Sequence, residues 1–377
     1  MKDTFLIVTT VPQSLNFFRG QVQVLKKRFN VEAVSSPGER LQNFEETEKV
    51  KTYAITIKRE ISLLNDIQSL YKLYRLIKKI QPKVVHGNTP KGGLLSMLAS
   101  YFNKTPIRIY FLHGLRYEGT SGIKRKFLMC MERIACNCAT HVFSVSHGVK
   151  STLYKDKITS KPVEIIWNGS INGINTEVFN PDNVVTAQIK GVKFTKENII
   201  FGYVGRLVGD KGINELVSAF SSLYDEYSHI RLLLVGIYED IQDPVSHKIK
   251  DQIKTHPGIF HVGYQKDVKP FLKLMDIFTF PSYREGFGIV LMEAAAMKTP
   301  AISSDITGCN EIIQNDYNGI LIPPKNMEAL MKAMEEIITH PEKITILSNQ
   351  ARDCVINKYN QKTLWNKALS TYSDICK

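Results

Sequence analysis

Glu285 and Glu293 stand eight residues apart in Ser282–Glu293, which reads Ser-Tyr-Arg-Glu-Gly-Phe-Gly-Ile-Val-Leu-Met-Glu. The apolar run Ile277–Phe280 leads into this stretch and Pro281 ends the run. Gly286 and Gly288 flank Phe287, ahead of an apolar helical segment that carries Glu293. Glycines let the backbone approach a ligand closely, and a helix starting near Phe287 would point free N–H groups at an anion. Glu293, inside that helix beside Ala294–Met297, needs a hydrogen-bond donor. A ribose diol is one candidate donor, and a buried backbone or Arg group is another. Spacing alone leaves open both a nucleotide site and an ordinary strand-loop-helix corner.

A second cluster, Gly205-Arg206-Leu207 with Lys211-Gly212, follows the apolar run Ile199–Val204. Arg206 and Lys211 span a strand-to-helix turn, where a guanidinium fork and an ammonium could converge on a pyrophosphate. Basic residues in turns are also commonly just solvated. In the first half, His113-Gly114 ends the run Ile107–Leu112. His86-Gly87-Asn88-Thr89 and Ser146-His147 are similar strand-end loops. A histidine in such a place either bonds a substrate or is structural.

The elements that must position these residues repeat as apolar strand, short loop and amphipathic helix. Strands are expected at Phe5–Thr9, Val31–Val34, Tyr53–Ile57, Val84–Val85, Ile107–Leu112, Val142–Val145 and Val163–Ile166. Helices are expected at Phe17–Arg28 and Leu63–Ile80, the latter with Leu64, Ile67, Leu70, Leu73, Leu76 and Ile77 on one stripe. Ile171–Phe194 breaks the pattern and reads as a linker. A second series of strands follows at Ile199–Val204, Arg231–Val235, Ile259–Val262, Ile277–Phe280, Pro300–Ser303 and Ile320–Ile322. Helices at Asn326–Thr339, Ile344–Tyr359 and Leu364–Ile375 close the chain. Alternation of this kind marks α/β architecture with two Rossmann-like, doubly wound parallel sheets, whose ligands bind at strand C-termini in the crevice between domains.

Bulk composition agrees. A chain of 377 residues exceeds one typical core, and 43% apolar with 23% charged residues describes a folded globular protein. The net charge of +13 favours anionic partners: phosphates, nucleic acid or an anionic membrane. No recognised motif supports nucleic acid. The six cysteines form no Cys-x-x-Cys pair and are expected to be thiols in a reducing cytoplasm. No phosphate-loop motif and no Asp-x-Asp pair is present, so no metal is expected. Gly202-Tyr203-Val204-Gly205 lacks the third glycine of a nicotinamide fingerprint. The N-terminal apolar run is too short for a signal peptide, and the longest apolar stretch, Gly92–Phe102, too short to span a bilayer.

In order along the chain come Gly-Arg-Leu…Lys-Gly, then Pro-Ser-x-x-Glu-Gly-Phe-Gly-x-x-x-x-Glu-Ala, then Ser303–Glu311. This series resembles the retaining family-4 nucleotide-sugar glycosyltransferases of the GT-B fold, most specifically over Gly202–Pro323. Within that family it is similar to members that extend polyprenyl-diphosphate-linked sugars. Thr307-Gly308-Cys309-Asn310-Glu311 departs from the Gly-Gly often found there.

The resemblance implies an acceptor-binding domain over 1–180, a donor-binding domain over 195–360 and a C-terminal helix, 361–377, crossing back to the first domain. It implies that Arg206 and Lys211 neutralise the leaving diphosphate without a metal or cofactor, and that the N–H groups of Phe287 and Gly288, beside Gly286, hold a phosphate. Glu293 would bind the ribose, and Glu285 the transferring sugar. His113 would touch the sugar, while Ser14, Asn16 and Arg19 would face the acceptor. The donor would be a nucleotide sugar, with UDP expected. The acceptor would be a lipid-diphosphate-linked or free saccharide in bacterial surface polysaccharide or capsule synthesis. Attack would come from the face that the diphosphate leaves.

Gly122–Met131 sets Lys124, Arg125 and Lys126 beside Ile123 and Phe127, and Lys72, Arg75, Lys78 and Lys79 decorate Leu63–Ile80. Such segments could rest on an anionic membrane. The expected location is cytoplasmic or peripheral on the inner membrane face. Two alternatives stand beside this reading: a nucleotide-sugar epimerase of the same architecture, which would turn over without acceptor, and a non-catalytic sugar-nucleotide-binding subunit.

Overall fold

The structure, a computed structural model, describes residues 2–239 and 243–377. Its contacts divide into two units, one of Met1–Gly173 with Gln361–Lys377 and one of Ile174–Asn360.

In the first unit the strands are β1 (Thr4–Val8), β2 (Asn30–Ser35), β3 (Lys51–Ala54), β4 (Val84–Asn88), β5 (Ile107–Leu112), β6 (His141–Ser144) and β7 (Val163–Glu164). The helices between them are α1 (Gln21–Leu25), α2 (Glu39–Glu48), α3 (Leu63–Ile80), α4 (Pro90–Phe102), α5 (Gly122–Cys138) and α6 (His147–Lys155). All seven strands pair in parallel, in the order β3-β2-β1-β4-β5-β6-β7. β1 and β4 are buried almost throughout, as expected for parallel strands covered on both faces. His86 and Asn88 therefore lie within β4, not on a loop beyond it.

The helix expected over Phe17–Arg28 is corrected. Pro12–Phe18 is a 3-10 turn, and α1 starts only at Gln21. Gly20 breaks the two at φ 76°, with the ring of Trp365 standing where a Cβ would be. The single stripe expected on α3 also splits. Leu73 and Ile77 are buried, whereas Leu64 is 84% and Ile67 65% exposed. At 100° per residue, Leu64 and Leu73 lie on opposite faces, so one neighbouring helix cannot cover both.

The second unit carries β8 (Ile199–Val204), α7 (Ile213–Tyr224), β9 (Ile230–Val235), α8 (His247–Thr255), β10 (Ile259–His261), α9 (Lys269–Leu274) and β11 (Ile277–Phe280). It continues with α10 (Ile289–Ala296), β12 (Ala301–Ser304), β13 (Gly319–Ile322), α11 (Met327–Thr339) and α12 (Glu342–Tyr359). Its parallel sheet has the order β10-β9-β8-β11-β12-β13. The stretch expected as a linker is not a free tether. Lys273 Nζ donates to the carbonyls of Pro181 and Val184 at 2.6 and 2.8 Å, and Ala187 N–H donates to Pro270 O at 3.0 Å.

The last helix, α13 (Gln361–Ile375), packs on α1 in the first unit. Trp365 Nε1 donates to Asn172 Oδ1 at 2.7 Å, and Tyr372 is buried among Phe5, His86 and Phe143. Replacing Gly20 by Ala should destabilise the first unit by more than about 1 kcal/mol, because Ala is strained at positive φ and must displace Trp365. Both tryptophans, Trp167 and Trp365, lie in that unit. The denaturation midpoint followed by tryptophan fluorescence checks this, and an unchanged midpoint contradicts it.

Candidate functional site

In the second sheet the connections run one way from β8 through β9 to β10 and the other way through β11. The reversal lies between β8 and β11, which pair at Phe201↔Ile277 and Gly202↔Phe278. At such a reversal the two loops leave the carboxyl ends of neighbouring strands, the place where ligands bind in open parallel sheets. Here those loops are Gly205–Gly212 and Pro281–Gly288, the two clusters singled out by residue type.

The loops are locked together by their backbones. Gly212 takes φ 72° as it opens α7, with the carbonyl of Pro281 where a Cβ would stand. Tyr283 N–H donates to Asp210 O at 2.8 Å, and Arg284 bridges to Asp210 Oδ2 at 3.0 Å. Across this seam Lys211 Nζ forms an ion pair with Glu285 Oε1, each side chain 16% exposed. Ser282 Oγ donates to the same carboxylate oxygen at 3.1 Å and is itself buried. Lys211 Nζ also stands 5.7 Å from the Phe280 ring centroid. A recessed, paired charge of this kind keeps a defined position and is screened less than a surface pair.

Arg206 behaves differently. Its backbone carbonyl accepts from Tyr203 Oη at 2.8 Å, while its guanidinium reaches Glu239 at 2.5 Å, beyond the end of β9. Arg206 and Lys211 thus flank one loop but do not converge on one partner. The ion pair with Glu239 is half exposed and therefore weak, open to exchange for a stronger anion.

α10 begins at Ile289, two residues later than expected. Gly288 stands outside the helix as its N-cap, at φ −78° and ψ 70°, and its N–H donates to Gly308 O at 3.1 Å. The expectation that Phe287 and Gly288 together offer N–H groups is corrected to Phe287 alone. Gly286 packs against the turn at Gly308, and the Phe287 ring meets Tyr359 edge-on at 5.4 Å. Glu293 projects from α10 with no hydrogen-bond partner among the described residues. Burial pushes its carboxyl up to about 7, with Lys269 opposing the shift. Burial pushes the Cys309 thiol, next in the chain after Gly308, up to about 12, so it stays protonated.

In the first unit, His113 follows β5 and stacks with both Phe111 and Phe17, with centroids at 5.1 and 4.8 Å. Its Nε2 lies 3.0 Å from Asn88 Oδ1. Phe17 belongs to the turn that carries Ser14 and Asn16, so this turn and His113 share one corner. Asn16 and Arg19 are exposed, and Ser14 is half-buried. His86 is fully buried and held neutral by desolvation and then by His113, a structural role. Ser146 caps α6 by accepting from Val149 N–H at 3.2 Å.

Sequence reasoning gave no role of their own to Ser282, which it quoted within its motif, to Asn88, which it quoted within the loop after Val85, or to Glu239. Ser282 follows Pro281 directly at the strand end, a positional signal that was available. Glu239 had none, since its nearness to Arg206 follows from β9 lying beside β8.

Comparison with known proteins gives these sites a family. Residues 185–354 match the family described as glycosyl transferases group 1, and residues 20–170 match glycosyltransferase family 4. The chain is 32% identical over 372 residues to the capsular polysaccharide biosynthesis glycosyltransferase CapM of Staphylococcus aureus, covering 98% of this chain and 97% of that one. It is 27% identical over 331 residues to an Escherichia coli UDP-Gal:alpha-D-GlcNAc-diphosphoundecaprenol alpha-1,3-galactosyltransferase, covering 85% and 82%. Among solved structures, the UDP complex of Anabaena HepE superposes with a TM-score of 0.78 at 18% identity, covering 99% of this chain and 100% of that one. The chain therefore belongs to the group 1/family 4 glycosyltransferases and is a glycosyltransferase of the GT-B fold.

Proposed function

We propose that the protein moves a sugar from a UDP-sugar, with retention, to a sugar carried on a polyprenyl diphosphate, in surface polysaccharide synthesis. The observation that carries this reading is the Lys211–Glu285 pair, anchored by Ser282 at the reversal of the second sheet. Capsule synthesis and diphosphoundecaprenol acceptors are named for the Staphylococcus aureus and Escherichia coli relatives, and UDP for the Anabaena structure.

In this reading Lys211, with Arg206 released from Glu239, draws off the diphosphate. Positive charge already aimed at the departing oxygens stabilises the transition state without reorganisation. The bond from the anomeric carbon to the diphosphate oxygen breaks. The acceptor hydroxyl oxygen bonds that carbon on the same face, and its proton passes to the departing oxygen. Glu285 bonds the sugar and faces the developing positive charge. Phe287 N–H meets a phosphate, Glu293 meets the ribose diol, and the reaction needs no metal.

The first unit is proposed to take the acceptor at the Ser14–Arg19 corner and to rest on an anionic membrane. Among the described residues no helix is long and apolar enough to cross a membrane. The outward face of α3 nevertheless runs Leu64, Ile67, Tyr71, Arg75 and Lys78, all exposed. These positions fall on one helical face, apolar at its start and basic at its end. Ile123 at the start of α5 is 88% exposed beside Lys124 and Lys126, and α4 packs against both helices. Each cation near an anionic surface adds about 1 kcal/mol of attraction.

A panel of UDP-sugars with polyprenyl-diphosphate-linked sugars in phosphatidylglycerol vesicles tests the reading. One donor should give product and free UDP. No transfer and no nucleotide-sugar binding overturns it. Leu64→Glu with Ile67→Glu should reduce vesicle binding while leaving transfer to a water-soluble short-chain acceptor unchanged.

A further inference from the structure

We infer that Asn88 is a positioning residue that fixes His113 in its Nε2–H tautomer, so that the imidazole presents a bare Nδ1 to a hydroxyl of the sugar substrate. The inference deepens the reading of His113 as a sugar contact and rests on it.

The argument begins with Asn88, fully buried at the end of β4. Its amide nitrogen lies 2.9 Å from the backbone carbonyl of His86 and 3.4 Å from that of Val8. Carbonyls only accept, so the NH2 end must face them. Turning the amide round would set two oxygens 2.9 Å apart in a buried place, at high cost. The orientation of Asn88 is therefore dictated by backbone and independent of His113.

With the nitrogen so placed, Oδ1 points at His113 Nε2 at 3.0 Å. An amide oxygen accepts, so Nε2 must carry the hydrogen. Desolvation of the ring disfavours a second proton, which leaves Nδ1 as a lone pair. The rings of Phe111 and Phe17 both stack on the imidazole and restrain it from swinging out of this bond.

The same logic runs on through the sheet. Asn88 Nδ2 lies 2.9 Å from His86 Nδ1 and donates to it. His86, neutral and buried, then carries its hydrogen on Nε2, which donates to Tyr372 Oη of α13 at 2.9 Å. Every donation runs one way, from His113 through Asn88 and His86 to Tyr372. Aligned bonds polarise one another, so donation at Nε2 makes Nδ1 a better acceptor.

A bare acceptor selects its partner. It takes a hydrogen from a sugar hydroxyl and repels a phosphate oxygen or a carboxylate, which have none to give at neutral pH. His113 is thereby assigned to a hydroxyl of the sugar and not to the diphosphate.

The test is long-range 1H–15N spectroscopy of the full chain labelled at histidine, with His113 assigned by its loss in His113→Gln. In the unaltered protein His113 should show Nε2 protonated and Nδ1 unprotonated throughout the neutral range. The opposite tautomer, or a doubly protonated ring, overturns the inference. Adding the UDP-sugar that supports transfer should shift the Nδ1 resonance, and UDP alone should not. Equal shifts with both, or none with either, also overturn it. Asn88→Ala should give a mixture of tautomers and lower kcat/KM about tenfold, the worth of one oriented hydrogen bond. A single Nε2–H tautomer persisting in that variant would show that Asn88 does not set it. Absence of any glycosyl transfer would instead defeat the broader reading and leave the tautomer result standing.

Discussion

Lys211→Ala should lower kcat/KM for transfer about 10²–10³-fold, the loss seen when one preorganised charge or donor is removed from a transition state. Glu285→Ala should cost a similar factor. The double variant should lose much less than the product of the two, because the residues form one ion pair and act as a unit. Each single variant strands a recessed charge, so stability falls as well. Glu285→Gln narrows the stability loss, since its side-chain oxygen can still accept from Ser282 and Lys211, while the charge that faces the sugar is gone. It should remain folded and be nearly inactive. Steady-state kinetics beside thermal melts reads both quantities. A Lys211→Ala enzyme with near-original kcat/KM would remove Lys211 from the chemistry.

Glu293→Gln should trade donor binding for stability, and both effects should depend on pH. Burial raises the Glu293 carboxyl from its ordinary 4.5 to about 7. A carboxyl raised by folding contributes stability below its unfolded value. That contribution fades as pH rises through the folded value, because the chain must then hold a buried anion. Glutamine carries no such burden. The variant should match the original protein near pH 4 and exceed it near pH 8, by at most about 3.5 kcal/mol, since each pKa unit is worth about 1.4 kcal/mol.

Donor binding runs the other way. Ribose hydroxyls donate best to the carboxylate, so donor KM of the original enzyme should rise as pH falls below about 7. In Glu293→Gln the KM should be about 10–100-fold higher at pH 8, the worth of charge-assisted hydrogen bonds, and nearly flat with pH. Thermal melts and KM profiles over the same pH range check both. A KM profile that keeps its rise in the variant would assign the pH dependence to another group.

Much of the fold was legible because local patterns carry it. Ile107–Leu112, Ile199–Val204 and Ile277–Phe280 were read to the residue, each an apolar run closed by a breaker or polar turn. α3 was likewise read from Leu63 to Ile80. Its facing was misread, since apolar character tells that a helix has an adherent side but not how much of it a neighbour covers. Gly286 and Gly288 marked a tight corner, yet not that the N–H of Gly288 is engaged by Gly308.

The candidate site divides in the same way. Residue type and spacing put Lys211 and Glu285 at the ends of β8 and β11, because strand ends are set by short-range backbone preference. Their pairing required those two strands to be neighbours at the reversal of the sheet, and sheet order comes from contacts between distant segments. Arg206 found Glu239 for the same reason, through the neighbour on its other side. Asn88 and Tyr372 are the extreme case. They are separated by most of the chain and joined through His86 only once α13 has docked. Local chain energetics thus chose which groups stand at the strand ends. Long-range packing chose their partners, and with them the charge, tautomer and direction that each presents.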